Sequence, residues 1–333
     1  MKAAMFHGAG DIRIEEVPDP VPGSGEVLIR PRYCGICGTD LSAWKYGLYG
    51  SGVIIGHEFS GEIIGLGPDV DSWSIGDRIV ANSTIPCKKC TYCLEGKFVL
   101  CDTSLEMPGI TMNGGMAEQV VLPAEALHSL PDNMRWEEGA LVEPLAVVLH
   151  GFNLMDSKVG QSVLILGAGT IGLLAIKIAQ ITGATPIAVS EPNNFRRDLV
   201  NDLGSFKINN PAQTNVSIAF MDQFDLVIEC TGLASVVTET FSLVKKGGTI
   251  LVLGIPNDPV EADFMTAVLN ELTLKFSYCG FSEFPTAIKL ISNQIINVKD
   301  LITNRIKLEE VVQKGFQELM KPETENVKIL VEI

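Results

Sequence analysis

The distribution of hydrophobic and polar residues divides the chain into two regions of different character. From Ala3 to about Leu130, short runs of apolar and polar residues are interrupted by glycine and proline, as in half-buried β-strands. Examples are Glu26–Arg30, Gly61–Gly65 and Asp77–Ala81. The first region is therefore predicted to be rich in β-structure.

After Glu143, apolar runs alternate with helical stretches, which is typical of a doubly wound parallel sheet. The predicted strands are Ser162–Leu166, Pro186–Ser190, Phe224–Glu229, Thr249–Leu253 and Leu272–Phe276. The predicted helices are Ile171–Ile181, Asn194–Leu203 and Ser235–Val244, and the chain ends with a helix near Glu309–Met320 and a strand at Val327–Val331. The second region is predicted to be an α/β domain.

Composition narrows the range of partners. The 333 residues are 46% hydrophobic, which is enough for two domains of about 150 residues each. The formal charge of −15 disfavours binding to nucleic acid. No stretch approaches about 18 uninterrupted apolar residues, and Met1–Glu16 lacks the apolar core of a secretory signal. We therefore expect a cytoplasmic protein without a membrane partner.

Four cysteines follow one another closely with the spacing C-x2-C-x2-C-x7-C. They are Cys87, Cys90, Cys93 and Cys101. This spacing suits a closed tetrahedral zinc site, with each sulfur about 2.3 Å from the ion. The alternative, two local disulfides or unreactive buried thiols, fits less well, because cysteines so close in sequence pair only with strain.

A glycine-rich turn connects a predicted strand to a predicted helix. In Gly167-Ala-Gly-Thr-Ile-Gly172, Gly167 permits a tight turn, Gly169 lets the backbone approach a pyrophosphate, and Gly172 allows close packing of the helix on the sheet. Thr170 and Ile171 within this motif are further candidate cofactor contacts. The alternative is a glycine turn in an unrelated α/β sheet.

Glu191 ends the next predicted strand and is placed to accept hydrogen bonds from the ribose of a dinucleotide. A carboxylate there would repel a 2′-phosphate, which favours NAD over NADP. Arg196 and Arg197 follow closely and could instead receive a phosphate. Arg196 is retained as a candidate cofactor contact, together with Gly254 and Ile255 after the strand Thr249–Leu253.

A second metal site is indicated by residues on both sides of the cysteine cluster. Cys37, His57, Glu58 and Glu143 offer a thiolate, an imidazole and two carboxylates, a set able to hold a catalytic zinc with an open position. Each alone has an ordinary structural explanation, as a core thiol, a satisfied polar group or a loop acid.

Together these residues resemble the zinc-dependent medium-chain alcohol dehydrogenases over nearly the whole chain, closest in pattern to the polyol, butanediol and threonine dehydrogenase branches. The resemblance implies a GroES-like catalytic domain at 1–144 and 279–333, with a structural-zinc lobe at about 86–102, and a Rossmann NAD-binding domain at 145–278. The return to the catalytic domain is expected near Tyr278–Gly280.

The resemblance also implies residue roles. Cys37, His57 and Glu58 match ligands of the active-site zinc, and Glu143 matches a position that binds it directly or through water. The four cysteines of the lobe match the structural zinc site. Two zinc ions per subunit, NAD and a homodimer or homotetramer are therefore expected.

Three positions depart from the family pattern. Ser42 occupies the place of a histidine that often passes the proton outward, so the relay must differ. Ala43 and Ser277 replace a tyrosine and an arginine that contact polyols in sorbitol-type members. These two departures argue against a hexitol substrate.

The mechanism implied is hydride transfer from an alcohol to NAD, with the metal acidifying the hydroxyl. Thr39 could accept the hydroxyl proton or simply cap the following turn. Asp40 could accept a hydrogen bond from His57 or be a solvated turn acid. Because Glu58 and Glu143 make the site more anionic, oxidation is expected to be best at alkaline pH.

The leading hypothesis is a dehydrogenase for a small secondary alcohol, diol, polyol or amino alcohol. A sugar or aminocyclitol dehydrogenase with the same site is one alternative, and a non-enzymatic nucleotide-binding sensor of the same fold is another. Thr249–Leu253 and Leu272–Phe276 are apolar enough that an exposed edge would gain from pairing with another subunit.

Overall fold

The structure is a computed structural model that describes residues 1–102, 105–156, 158–204 and 206–333. These residues divide into two units, each with its own sheets. Unit 1 comprises Met1–Ala146, Cys279–Lys321 and Lys328–Ile333, and unit 2 comprises Val147–Tyr278 and Pro322–Val327.

Unit 1 is built on two sheets. The strands are β1 (Lys2–Gly8), β2 (Asp11–Glu16), β3 (Glu26–Gly35), β4 (Val53–Ile54), β5 (Glu58–Leu66), β6 (Arg78–Ala81), β7 (Val120–Pro123), β8 (Leu127–Ser129), β15 (Ile302–Lys307) and β16 (Lys328–Glu332). A three-stranded sheet has the order β2-β1-β4, and a larger sheet has the order β15-β16-β3-β5-β6-β8, with β7 also paired to β3. The β-rich first region is confirmed.

The long strand β3 is central to the larger sheet. It pairs antiparallel with β5 along most of its length, and its last residues pair with β16 on the other side. Val27 and Ile29 alternate with more exposed residues and enter the core of unit 1, which also contains Phe59 and Phe316. This register brings the end of β3 next to the first residues of β5 and β16.

The helices of the first region are short. They are α1 (Gly38–Tyr46), α2 (Thr91–Leu94), α3 (Trp136–Gly139) and α4 (Val142–Asn153), which continues into unit 2. In the returning segment, α10 spans Phe284–Ser292 and α11 spans Gln317–Leu319. The helix expected near Glu309–Met320 is instead a 3-10 turn, a π-helical stretch at Val311–Phe316 and α11. The spacing of apolar residues does not distinguish these helix types.

Unit 2 is a six-stranded parallel sheet with helices in the connections. The strands are β9 (Val163–Leu166), β10 (Ile187–Ser190), β11 (Lys207–Asn209), β12 (Phe224–Glu229), β13 (Val244–Val252) and β14 (Thr273–Phe276), and the helices are α5 (Thr170–Ile181), α6 (Asn194–Leu203), α7 (Val216–Phe220), α8 (Ala234–Glu239) and α9 (Phe264–Leu269). The sheet order is β11-β10-β9-β12-β13-β14, the doubly wound order of dinucleotide-binding folds. The α/β prediction is confirmed.

The boundaries of two predicted elements differ from the structure by several residues. The helix expected at Ser235–Val244 ends at Glu239 and is followed by a 3-10 turn, and β13 begins at Val244 rather than Thr249. Lys245, Lys246 and two glycines precede the apolar run, so the sequence pattern conceals the first half of this strand.

The segment Pro322–Val327 belongs to unit 2, although the sequence assigned all of 279–333 to the catalytic domain. The reason is visible in its hydrogen bonds. Thr170 Oγ1 donates to the carbonyl oxygen of Val327, and Asn193 Nδ2 donates to those of Pro322 and Thr324. None of the helices in the described part of the chain has the length and apolarity needed to span a bilayer.

Candidate active site and metal centres

The four clustered cysteines converge in the segment around α2. The sulfur atoms of Cys87, Cys90, Cys93 and Cys101 lie within 4.8 Å of one another, and the thiols are not joined as disulfides. Backbone amides support them: Cys90 N donates to Cys87 Sγ at 3.3 Å, and Cys87 N donates to Cys101 Sγ at 3.4 Å. Four sulfurs at this separation suit one tetrahedral ion.

The electrostatics of this cluster favour a bound cation. The backbone amide of Lys89 is the main cause that lowers the pKa of Cys87 to about 6. Desolvation is the main cause that raises the pKa of Cys93 to about 12. A second thiolate forms with difficulty beside the first unless positive charge is supplied, which a zinc ion would do.

A second donor group forms where α1 and β5 begin. Ligand atoms of Cys37, His57 and Glu58 lie within 4.8 Å of one another, and His57 and Glu58 are buried. Cys37 is the N-cap of α1, and Gly35 pairs with Glu58 across β3 and β5. Strand pairing therefore joins residues about twenty positions apart into one thiolate, imidazole and carboxylate set.

Asp40 lies directly behind His57. Its Oδ1 is 3.6 Å from His57 Nδ1, and it accepts hydrogen bonds from Tyr49 Oη at 3.0 Å and, through Oδ2, from Cys37 N at 3.0 Å. Asp40 is buried, so the alternative of a solvated turn acid does not apply. Within the described residues, His57 Nδ1 has no hydrogen-bond partner, which leaves Asp40 as the acceptor it faces.

The pKa of His57 reflects this arrangement. Burial acts to lower it, but the charges of Asp40 and Cys37 raise it well above its ordinary value. For the acid Asp40, desolvation has the opposite effect and raises the pKa. The acidic groups around His57 therefore favour positive charge at this place in the site, which a bound metal would also supply.

Glu143 lies outside the three-residue donor group. Its buried carboxylate accepts a hydrogen bond from Ser83 Oγ at 2.8 Å, and burial is the main cause that raises its pKa to about 7. The charge of His57 acts to lower this pKa, and that of Glu58 acts to raise it. This position suits an outer role more than direct ligation.

Thr39 contributes to the site through its backbone. Its amide donates to Cys37 Sγ at 3.4 Å. The other capping hydrogen bond at the start of α1 runs from Cys37 N to Asp40 Oδ2, so the two side chains that cap the helix are those of Cys37 and Asp40. The Thr39 side chain is partly exposed. Ser42 lies on the same helix at the position where the sequence lacks a histidine.

Lys328 is a charged residue of this site that the sequence analysis missed. Its Nζ donates to Glu58 Oε2 in a very short contact and to the carbonyl oxygen of Ile36 at 3.0 Å, and both Lys328 and Glu58 are buried. Burial acts to lower the pKa of Lys328, but the charge of Glu58 raises it above the ordinary value, with help from Cys37 and Glu143. A lysine within the apolar strand Val327–Val331 was the available sequence signal.

The glycine-rich turn has the geometry expected for a phosphate-binding loop. Gly167 has φ 92°, and a Cβ at Gly172 would collide with the carbonyl oxygen of Gly167. A Cβ at Gly169 would meet nothing closer than Arg196 Nη1 at 4.0 Å. Thr170 and Ile171 begin α5, whose first amides are available to an anion.

Glu191 is buried against this loop. Its Oε2 accepts a hydrogen bond from Ala168 N at 2.6 Å, and its Oε1 accepts one from Asn193 N at 2.9 Å. Arg197 Nη1 is occupied by the carbonyl oxygens of Glu191 and Pro192. In contrast, Arg196 Nε is buried and has no hydrogen-bond partner within the described residues. Of the two arginines, Arg196 is the one free to meet a ligand.

Gly254 and Ile255 follow β13, beside the carboxyl end of β12, where parallel sheets of this order bind nucleotides. Glu229, which the sequence analysis missed, holds this edge together. Its buried carboxylate accepts hydrogen bonds from Thr231 N at 2.6 Å and Gly232 N at 3.1 Å. A Cβ at Gly254 would meet Glu229 Oε2 at 2.5 Å.

Comparison with protein families gives two matches. Residues 23–132 match the alcohol dehydrogenase GroES-like domain, and residues 170–293 match the zinc-binding dehydrogenase family.

Individual proteins agree with these matches. The chain is 33% identical to L-arabinitol 4-dehydrogenase of Aspergillus oryzae over 92% of this chain and 86% of that protein. Its structure matches 2R,3R-butanediol dehydrogenase from Bacillus subtilis with a TM-score of 0.90 and 30% identity, covering 100% of this chain and 99% of the other. A zinc-binding dehydrogenase of Sinorhizobium meliloti bound to NADP gives a TM-score of 0.93 and 32% identity at the same coverage. The chain belongs to the zinc-dependent medium-chain alcohol and polyol dehydrogenase family, whose members use a nicotinamide cofactor.

Proposed function

We propose that this protein is an NAD-dependent dehydrogenase that interconverts a small secondary alcohol, diol or polyol, or an amino alcohol, with the ketone. The observation that carries the proposal is the group of half-buried Cys37 with buried His57 and Glu58, present in the same chain as a glycine loop of dinucleotide-binding geometry. A nucleotide-binding sensor would not need to keep this donor set intact.

Cys37, His57 and Glu58 would hold the catalytic zinc, and Glu143 would reach it through a water molecule. When bound, zinc supplies a Lewis acid that makes a hydroxyl acidic near neutral pH, and NAD supplies the hydride acceptor. Asp40 fixes the orientation of His57 by facing its Nδ1. These side chains would thus determine which positions around the metal are filled and which one is left for the substrate.

Thr39 is the proposed relay for the substrate proton: its hydroxyl would accept that proton while passing its own towards the cofactor ribose. Cys37 and Asp40 cap α1, so the Thr39 hydroxyl is not required for the cap. Because Ser42 stands in place of the usual histidine, the proton would leave through a hydroxyl instead of an imidazole.

The cysteine cluster would hold a second, structural zinc. The support is the separation of the four sulfurs and the lowered pKa of Cys87, which provides a thiolate at neutral pH. This gives two zinc ions per chain, with one closed site and one open site. Cysteines used as metal ligands fit a reducing compartment, which supports a cytoplasmic location.

The preference for NAD rests on Glu191. Its carboxylate is held at the glycine loop by two backbone amides, so it cannot easily turn away from a 2′-phosphate. Arg196, whose Nε lacks a partner within the described residues, would contact the pyrophosphate or the ribose. A ratio of kcat/KM for NADP over NAD above one would contradict this assignment.

We also propose that the chain forms a homodimer through β14 and α9. Among the described strands, β14 pairs only with β13, and the predicted strand Thr249–Leu253 lies inside the sheet as part of β13. Exposed large apolar side chains cluster here: Phe264, Met265, Val268, Leu269 and Phe276. Two identical free edges can pair about a twofold axis, which makes a second copy the natural partner.

Sedimentation of wild type and of a Val268→Glu, Phe276→Glu variant tests the dimer. We expect a dimer for wild type and a monomer for the variant. A monomeric wild type, or a dimer that survives both charges, would contradict the interface.

The test of the activity is a panel of diols, polyols, amino alcohols, sugars and aminocyclitols with NAD and NADP, before and after metal removal. We expect turnover of a secondary alcohol with NAD, loss of turnover on chelation, and recovery with zinc. Turnover of sugars or aminocyclitols alone would favour the alternative substrate class. NAD binding without turnover of any compound would favour a sensor.

A further inference from the structure

Lys328 reaches the candidate zinc site across a neighbouring strand. It lies at the start of β16, Glu58 lies at the start of β5, and the end of β3 separates them. Gly35 makes the crossing possible, because a Cβ at that position would collide with Glu58 Oε2. Lys328 Nζ also donates to the carbonyl oxygen of Ile36, which fixes the ammonium group in place.

This contact divides the Glu58 carboxylate between two cations. Oε2 accepts the hydrogen bond of Lys328, so one of the two carboxylate oxygens already has a cation as its partner. Both side chains are 2% exposed, so water does not screen their interaction. A carboxylate already paired with a buried ammonium donates less negative charge to a second cation.

The charges around Lys328 come from several elements. Glu58 is on β5, Cys37 begins α1, and Glu143 is on α4, and all three carry or can carry negative charge. Cys34 on β3 is buried nearby, and desolvation raises its pKa well above the ordinary value, which keeps it neutral. Lys328 is thus the cationic group in direct contact with Glu58, and His57 is the other basic group of the set.

We propose that Lys328 is a positioning residue that competes with the zinc for Glu58, so that Glu58 is a weakened, one-oxygen ligand and the metal keeps its Lewis acidity and its open position. The proposal rests on the proposed function of the site as a zinc centre. The contact between Lys328 and Glu58 would offset the loss of Lewis acidity that two carboxylates near the zinc would otherwise cause.

The test compares Lys328→Met with wild type, using Lys328→Arg as the charge-retaining control. Zinc affinity is measured by competition with a chromophoric chelator, and the signal of Cys37→Ser is subtracted to remove the contribution of the cysteine cluster. Lys328→Met is expected to bind zinc about tenfold more tightly, because the competing cation is gone. Lys328→Arg is expected to stay within about threefold of wild type.

A second readout separates this role from simple support of the fold. The pH at which alcohol oxidation reaches half its maximum is expected to rise by about one unit in Lys328→Met, because the metal becomes less acidic. When Glu58 is already replaced by Gln, the same lysine substitution is expected to change zinc affinity by less than about threefold.

Zinc affinity that is unchanged or weaker in folded Lys328→Met would overturn the proposal. If that variant does not fold, Lys328→Gln, which keeps a donor without the charge, gives the same comparison. The zinc affinities do not depend on turnover. A failure of the proposed dehydrogenase function would appear instead as wild-type protein that binds zinc but oxidises no alcohol.

Discussion

The two clusters of candidate metal ligands in this chain are assembled in opposite ways. Cys87, Cys90, Cys93 and Cys101 come from one continuous segment, and their sulfurs are supported by local backbone amides. Cys37, His57 and Glu58 are joined by strand pairing, and Lys328 reaches the same site from the far end of the chain. The first cluster depends on spacing, and the second depends on the fold.

The two clusters also differ in the metal coordination that they would provide. Four thiolates close the coordination of a zinc ion, whereas a thiolate, an imidazole and a shared carboxylate leave a position for substrate. The closed cluster is partly exposed, and the open one is mostly buried among groups whose pKa values are shifted by burial. We therefore expect the first to control stability and the second to control turnover.

Cys37→Ser tests the open site and is expected to have the largest effect. Removing the thiolate of the open site is expected to lower kcat/KM by about 10⁴-fold, or about 5 kcal/mol of transition-state stabilisation. Zinc content measured by atomic emission should fall from about two ions per chain to about one. Unchanged turnover in this variant would show that the open site is not the catalytic one.

Cys93→Ser tests the closed site. Loss of one of four thiolates is expected to lower the free energy of unfolding by about 4 kcal/mol, measured by urea denaturation, because the bound metal contributes directly to folding. Activity per folded molecule should remain at low temperature. Cys230 follows β12 and lies outside both donor groups, so Cys230→Ala is a control that should retain both ions. Equal destabilisation in the two variants would contradict a special role of the cysteine cluster in stability.

The pH dependence of stability should differ between the sites in protein depleted of metal. Burial raises the pKa of Glu143 from 4.5 to about 7, so the folded state holds a proton that the unfolded state releases. The associated stability is complete below about pH 4.5 and is lost as pH rises through about 7, roughly 3 kcal/mol in total.

For Cys87 the sign is reversed. Its pKa is lowered to about 6, so its contribution is present above the ordinary thiol pKa of 9.0 and is lost as pH falls through about 6. Urea denaturation of wild type and Glu143→Gln at about pH 5 and pH 8 isolates the first effect. A difference between the two proteins that does not change with pH would contradict it.

The smallest expected effect is kinetic. A chelator should remove zinc from the open site at least about tenfold faster than from the cysteine cluster, because carboxylate ligands exchange more readily than four thiolates. Activity and zinc content followed over time should show a fast phase that abolishes turnover and a slow phase that accompanies unfolding. Simultaneous loss of both ions would mean that the sites are not independent.

Much of this protein could be predicted from its sequence because the decisive patterns are local. The strand Phe224–Glu229 and the helix Asn194–Leu203 were predicted at the bounds that the structure gives. The glycine loop was identified because strand, glycines and helix follow directly along the chain. The family and the fold class followed from these local features.

Predictions failed where the pattern was interrupted or ambiguous. The first half of β13 is lysine and glycine, so it did not read as a strand, and its position in the sheet comes from pairing with β12 and β14. The π-helical stretch at Val311–Phe316 has helical spacing, and its type depends on backbone hydrogen bonds that spacing does not reveal.

The sequence by itself determined the fold class, the cysteine cluster and the phosphate loop, because each is encoded by residues that lie close together in the chain. Only the tertiary structure decided that Lys328 occupies one oxygen of Glu58, that Ser83 holds Glu143, and that Glu229 ties the loops after β12 and β13. These partners are brought together by the register of paired strands and by burial. Strand register and burial cannot be deduced from the periodicity of apolar residues, because the same pattern is compatible with many orders of strands.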